Sequence, residues 1–89
     1  MASVFIHNKV DNYDNWRATF DSFEQLRADS GVTRAKVYRT TGDDQGVTVL
    51  LDFATGDQAQ AFIDFPGFAD RLRRAGVIGT PDVWRAEEA

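Results

Sequence analysis

Ser3-Val4-Phe5-Ile6-His7-Asn8-Lys9-Val10 alternates, with Val4, Ile6, Asn8 and Val10 on one side and Phe5, His7 and Lys9 on the other. A period of two is strand spacing, because successive side chains of an extended chain point to opposite faces. From Asn12 to about Asp29 the period lengthens, as Tyr13, Trp16, Phe20, Phe23 and Leu26 or Arg27 recur every three or four residues. That is the stripe of an amphipathic helix. An Asp or Asn precedes it as a cap, and Gly31 follows it as a residue that takes the left-handed conformation without steric cost.

The same two periods recur downstream. Val32 to Thr40 alternates, Thr41-Gly42-Asp43-Asp44-Gln45-Gly46 is turn chemistry, and Val47 to Phe53 places Val47, Val49, Leu51 and Phe53 on one face. A hairpin is the simplest reading. Thr55 or Asp57 caps a second helix carrying Ala59, Phe62, Ile63 and Phe65; Pro66 must break it, and Gly67 to Ala75 resumes helically. Gly76, Gly79 and Pro81 read as an irregular link before a last short strand, Asp82 to Glu87. The order is βαββαβ, an α+β ferredoxin-like fold with an antiparallel four-stranded sheet and two helices on one face.

One sheet face then has no cover. Val4, Ile6, Ala35, Val37, Val49 and Leu51 suit the helix side, leaving Phe5, His7, Lys36, Tyr38, Leu50 and Asp52 outward. A row mixing Phe5 and Leu50 with charges is expected to be covered by a second subunit, giving a homodimer closed as an α/β barrel.

Composition narrows the rest. Eighty-nine residues point to a single domain over residues 1–89. The chain has no cysteine and one histidine, so neither a disulfide nor a thiolate or histidine-rich metal site is expected, and no cofactor is called for. A formal charge of −4 lacks the basic face that nucleic acid requires. No apolar run approaches the roughly 18 residues that span a bilayer, and no basic segment precedes the first apolar stretch, so a cytoplasmic protein without a membrane partner is expected.

Phe5-Ile6-His7-Asn8-Lys9-Val10, Tyr13-Asp14-Asn15-Trp16, Tyr38-Arg39, Ala61-Phe62-Ile63-Asp64-Phe65-Pro66 and Ala75-Gly76-Val77-Ile78-Gly79-Thr80-Pro81 resemble the dimeric α/β-barrel superfamily. More narrowly, they resemble small bacterial proteins of the cyclase-like and antibiotic-biosynthesis-monooxygenase-like groups. The resemblance spans essentially the whole chain and speaks to fold more than to chemistry. It implies a first-strand asparagine that positions an aromatic substrate and oxygen, and Asn8 stands at that place. The cyclase-like group has a histidine there instead, so a base at that position is lacking. The haem-degrading branch carries a second-helix tryptophan and a histidine ligand, which this chain replaces with Phe62, Phe65 and Phe68.

Each candidate residue has two readings. Asn8 is a pocket donor, or an amide tying the strand to neighbouring backbone. Trp16 and Tyr13 with Phe20, Phe62, Phe65 and Trp84 line an aromatic cavity splayed open at Pro66, or simply fill the core. His7 is the chain's single histidine and so the first candidate for proton transfer, but its outward parity favours a dimer contact beside Lys36, Tyr38 and Asp52. Arg39 and Arg85 hold an anionic group at a pocket mouth, or stay solvated; Arg71, Arg73 and Arg74 read as a solvated helix face.

Two functions follow. In the first, the protein is a cyclase-type or cofactor-independent monooxygenase-type enzyme acting on a quinol-like aromatic metabolite. Asn8 would position the substrate, assisted by Trp16 and by Tyr38, the latter only if a bulge turns its strand; Tyr13, Phe20, Arg39, Phe62, Phe65 and Trp84 would bind. In the second, it is a non-catalytic dimeric metabolite-binding or accessory protein, which suits the lack of an acid, base and nucleophile on one face.

Overall fold

A computed structural model describes all residues 1–89. Along the chain run β1 (Ala2–Val10), α1 (Tyr13–Ser22), α2 (Glu24–Asp29), β2 (Val32–Arg39), β3 (Gly46–Phe53), α3 (Gly56–Asp64), α4 (Phe68–Arg74) and β4 (Val77–Glu87). The strands form one antiparallel sheet in the order β2-β3-β1-β4, with the helices packed on one face. This is the ferredoxin-like α+β fold read from the periods.

Local chemistry starts and stops the helices as expected. The Asn12 side chain accepts a hydrogen bond from the Asn15 backbone N–H at 2.9 Å. Thr55, rather than Asp57, caps α3, accepting from the Gln58 N–H at 3.2 Å. Gly31 has φ +96° where the chain turns into β2.

Two expectations need correction. The first helix is two, broken at Phe23 (φ −94°, ψ 11°) although the apolar stripe runs on unbroken. Ser22 donates its hydroxyl to the Thr19 carbonyl at 2.6 Å, and the Arg27 guanidinium donates to the Phe20 carbonyl at 2.6 Å, so side chains satisfy the last carbonyls of α1. The last strand is also longer than Asp82–Glu87. β4 begins at Val77, and Gly79, Thr80 and Pro81 form a bulge between the Lys9↔Ile78 and His7↔Asp82 pairs, directly beside Asn8. Pro81 is tolerated there because β4 is an edge strand and a bulge leaves no ladder bond to lose.

The pairing register assigns each face. Val4↔Leu51, Ile6↔Val49 and Asn8↔Val47 lie beneath the helices, where Val4, Leu51, Val47, Val10, Phe53 and Trp16 make a closed core. Ser3↔Asp52, Phe5↔Leu50 and His7↔Thr48 lie on the open face. There Phe5 stacks on Trp84 with centroids 5.4 Å apart and planes 8° off parallel. Asp52 accepts from the Ser3 hydroxyl at 2.6 Å and pairs with Arg34 at 3.3 Å, while His7 Nδ1 and Thr48 Oγ1 share a hydrogen bond at 2.9 Å.

The β2–β3 turn carries a pH-dependent element. The Gln45 N–H donates to Asp43 at 3.0 Å, and Lys9 lies 3.7 Å from the same carboxylate. That backbone bond, with Lys9 adding to it, holds the Asp43 carboxyl below its ordinary pKa. A group lowered on folding stabilises above its unfolded pKa and loses that contribution as pH falls through the folded value. Asp43→Asn is therefore expected to be less stable than the parent at neutral pH, with the gap closing as the pH drops below the usual carboxylate range. Urea unfolding of both proteins across pH checks this; a gap independent of pH would contradict it.

Candidate functional site

Between the sheet and the two broken helices lies a half-open cavity of about 70 Å³. Its floor comes from the helix side of β1 and β3, with Ile6, Asn8, Val49 and Leu51. One wall is Trp16, Phe20 and Phe23 of the first helical pair, and the other is Phe62, Phe68 and Leu72 of the second. Of 14 lining residues 11 are hydrophobic, leaving Asn8, Arg27 and Arg71 as the polar ones. A closed volume of that size is below the roughly 150 Å³ that holds a benzene ring. A single ring therefore enters only as the half-helices part, and a flat polycycle needs more movement still. Each wall has its own joint, at Phe23 and between Asp64 and Phe68.

Asn8 is the chemically distinctive member. It is 2% exposed, and its Oδ1 accepts no hydrogen bond from the protein. An amide buried without a partner costs about 1–3 kcal/mol. The second reading of Asn8, a tie to neighbouring backbone, is not what this oxygen does. Since amide O and N exchange places by a flip of the side chain, the same group can offer either an acceptor or a donor to the cavity.

Trp16, 2% exposed, stacks on Phe20 with centroids 5.0 Å apart. Phe62 packs between Phe53 and Phe68, at 5.5 and 5.8 Å. The fold thus brings together Asn8, Trp16, Phe20 and Phe62 of the expected set. Tyr13 touches Trp16 at 5.9 Å but stands outside the lining, covered by the Arg39 guanidinium 4.0 Å above its ring. Arg39 also donates to the Asp44 carbonyl at 3.1 Å, so it clamps the turn instead of facing the cavity.

Four further residues lie elsewhere than expected. Trp84 pairs with Phe5 across the strands, on the far side of the sheet from the cavity, and is 47% exposed. Tyr38 pairs with Thr48 on that same open face; the β2 register shift lies between Val32 and Arg34, too far along to turn it inward. Phe65 is 46% exposed beneath Arg71, because the break before α4 swings it out of the wall. Arg85, expected at a pocket mouth, binds Gln60 at 2.8 Å and Glu87 at 3.3 Å. Phe5, His7, Lys36, Leu50 and Asp52 do share the open face, as their parity implies.

The sequence offers Arg27 only as an alternative to Leu26 on the apolar stripe, and Arg71 as part of a solvated helix face. Arg73 and Arg74 do pair with Asp70, at 3.5 and 3.0 Å, but Arg71 stands on the cavity lining with its guanidinium over the Phe65 ring. The signal was present in the spacing: Arg27 falls four residues after Phe23, and Arg71 three after Phe68, both on apolar stripes.

Neither a protein-family model nor a curated protein sequence matches the chain. Solved structures do. SnoaB, a cofactor-independent oxygenase from Streptomyces nogalater, superposes with a TM-score of 0.79 at 13% identity, over 99% of this chain and 92% of its own. A candidate antibiotic biosynthesis monooxygenase from Bordetella bronchiseptica gives 0.82 at 15% identity, over 99% and 96%. The fold is that of the antibiotic biosynthesis monooxygenase-like proteins. A third such protein, from Caulobacter crescentus, gives 0.76 at 16% identity, over 99% and 89%. Identities this low extend the likeness of monooxygenase-like proteins to the fold and not to substrate or activity.

Proposed function

We propose that the cavity binds a hydroxylated aromatic metabolite and that Asn8 hydrogen-bonds its hydroxyl or carbonyl oxygen. The observation that carries this is the unpartnered Asn8 amide inside an otherwise apolar, aromatic-walled cavity. A folded protein retains such a costly group where a ligand completes it. The apolar walls exclude water and the aromatic rings stack on the ligand's faces.

The reaction that suits this site is oxygenation without a cofactor. An electron-rich hydroxyaryl compound with an activated ring methylene loses a proton, and its anion reduces O2. The methylene becomes a carbonyl, one oxygen atom enters it, and the other leaves as water with the two hydrogens. The substrate supplies all four electrons, so the protein needs only to orient it, dry it and hydrogen-bond the oxyanion through Asn8. A binding protein without turnover is the second reading, favoured by a wall whose only charged groups are two guanidiniums. We further propose that the open face, with Phe5 and Leu50 at its centre, is covered by a second copy of the chain.

Native mass spectrometry of gently purified protein tests assembly and ligand together. A dimer carrying an aromatic adduct is expected; a bare monomer would remove both proposals. Oxygen uptake with hydroxyanthrones and naphthoquinols then separates the readings, since binding without uptake selects the non-catalytic one. Opening the wall should help: Leu72→Ala, at a half-buried position, is expected to destabilise by about 1 kcal/mol and to tighten binding of a bicyclic naphthol. A titration followed by Trp16 fluorescence in a Trp84→Phe background checks this, and weaker binding would show that Leu72 does not limit entry.

A further inference from the structure

Arg27 and Arg71 have no carboxylate partner, though the chain has fourteen acidic residues and six ion pairs. Arg27 is only 9% exposed, with its guanidinium 3.7 Å from the centre of the Phe20 ring. One hydrogen bond, to the Phe20 carbonyl, is all the protein gives it. Burial weakens its hold on the proton, although Asp21 and Glu24 oppose that from a distance. A guanidinium carries five N–H donors, so most of those on Arg27 are unspent. Arg71 lies with its guanidinium 4.3 Å from the centre of the Phe65 ring and lines the same cavity from α4. Its neighbours Arg73 and Arg74 both take Asp70, which leaves Arg71 free.

We infer that the cavity takes a hydroxyaryl carboxylate, its hydroxyl against Asn8 on the sheet floor and its carboxylate between Arg27 and Arg71 on the helix side. This rests on the reading of the cavity as a ligand site and adds the charge of its ligand. Two planar guanidiniums on opposing helices suit the two oxygens of one carboxylate. A buried cation without a counter-ion is costly, and an anionic ligand removes that cost on binding. At −4 overall the protein repels anions at long range, so the preference comes from the pocket and not from steering.

The probes are 4-hydroxybenzoate and its neutral isostere 4-hydroxybenzamide, titrated calorimetrically against the full chain. The acid is expected to bind at least about 10-fold more tightly, the low end for hydrogen bonds to a charged group. Arg71→Gln should remove most of that preference by weakening the acid, with a smaller loss for the amide, whose carbonyl accepts from the same group without a charge. Arg71 is the variant of choice, because Arg27 also closes α1 and its loss could unfold the joint; Arg27→Lys, which keeps the charge but not the fork, should weaken the acid alone. Equal binding of the two probes would overturn the carboxylate inference and leave the ligand site standing. If neither probe binds, while bicyclic naphthols do not bind either, both fail. A preference for the acid that survives Arg71→Gln unchanged would also overturn the paired-guanidinium arrangement.

Discussion

Asn8→Leu is expected to raise the thermal midpoint and weaken ligand binding in the same protein. Leucine has nearly the same shape as asparagine and no polar atom to bury. The floor position is already apolar on every side, between Ile6 and Val10 along the strand and opposite Val47. Removing a buried, unpartnered amide recovers about 1–3 kcal/mol. For a domain of this size each kcal/mol is worth roughly 4–8 °C, so the midpoint should rise by at least about 4 °C. The affinity for hydroxylated aromatics should fall by about 10-fold or more, the worth of a hydrogen bond in a dry site. Scanning calorimetry with and without ligand reads both quantities. A lower midpoint would mean that Asn8 supports the fold, and the case for the cavity as a site would lose its main observation.

If two copies pair through the open face as proposed, Trp84→Asp should separate them without unfolding them. Trp84 is 47% exposed and its indole rests on Phe5, with Leu50 on the next strand and the charges of Lys36, Arg34 and Asp52 around them. Aromatic residues at the centre of an interface commonly carry at least about 2 kcal/mol each, and an unpaired carboxylate there adds a desolvation cost. The dissociation constant is expected to rise by roughly 30-fold or more. Sedimentation velocity over a concentration series measures it, with circular dichroism confirming that the sheet persists. A parent protein that stays monomeric at high micromolar concentration would refute the dimer, and the open face would then belong to a different partner.

Legibility in the sequence followed the range of the interactions involved. Alternation in β1 and the three-to-four spacing of the helices are local, and burial of one face makes them nearly obligatory. The break at Phe23 was hidden because the apolar stripe continues through it, while the hydrogen bonds that end α1 come from the Ser22 and Arg27 side chains. Gly79, Thr80 and Pro81 read as a link because such residues usually interrupt strands. Only pairing with β1 shows that they bulge within one.

The candidate site divides in the same way. By itself the sequence determined the fold class, the two faces of the sheet, and the placing of Asn8 among apolar neighbours, since strand parity and composition suffice for each. Which aromatic residues meet around Asn8 was a tertiary matter. Trp84 and Tyr38 went to the far face through the strand register, and Phe65 swung outward at the helix break. Tertiary structure alone showed that the Asn8 oxygen has no partner and that Arg27 and Arg71 stand on the lining of the same cavity without carboxylate partners. Whether a polar atom is satisfied depends on groups distant in the chain that folding brings within about 3 Å, and no local pattern records that distance.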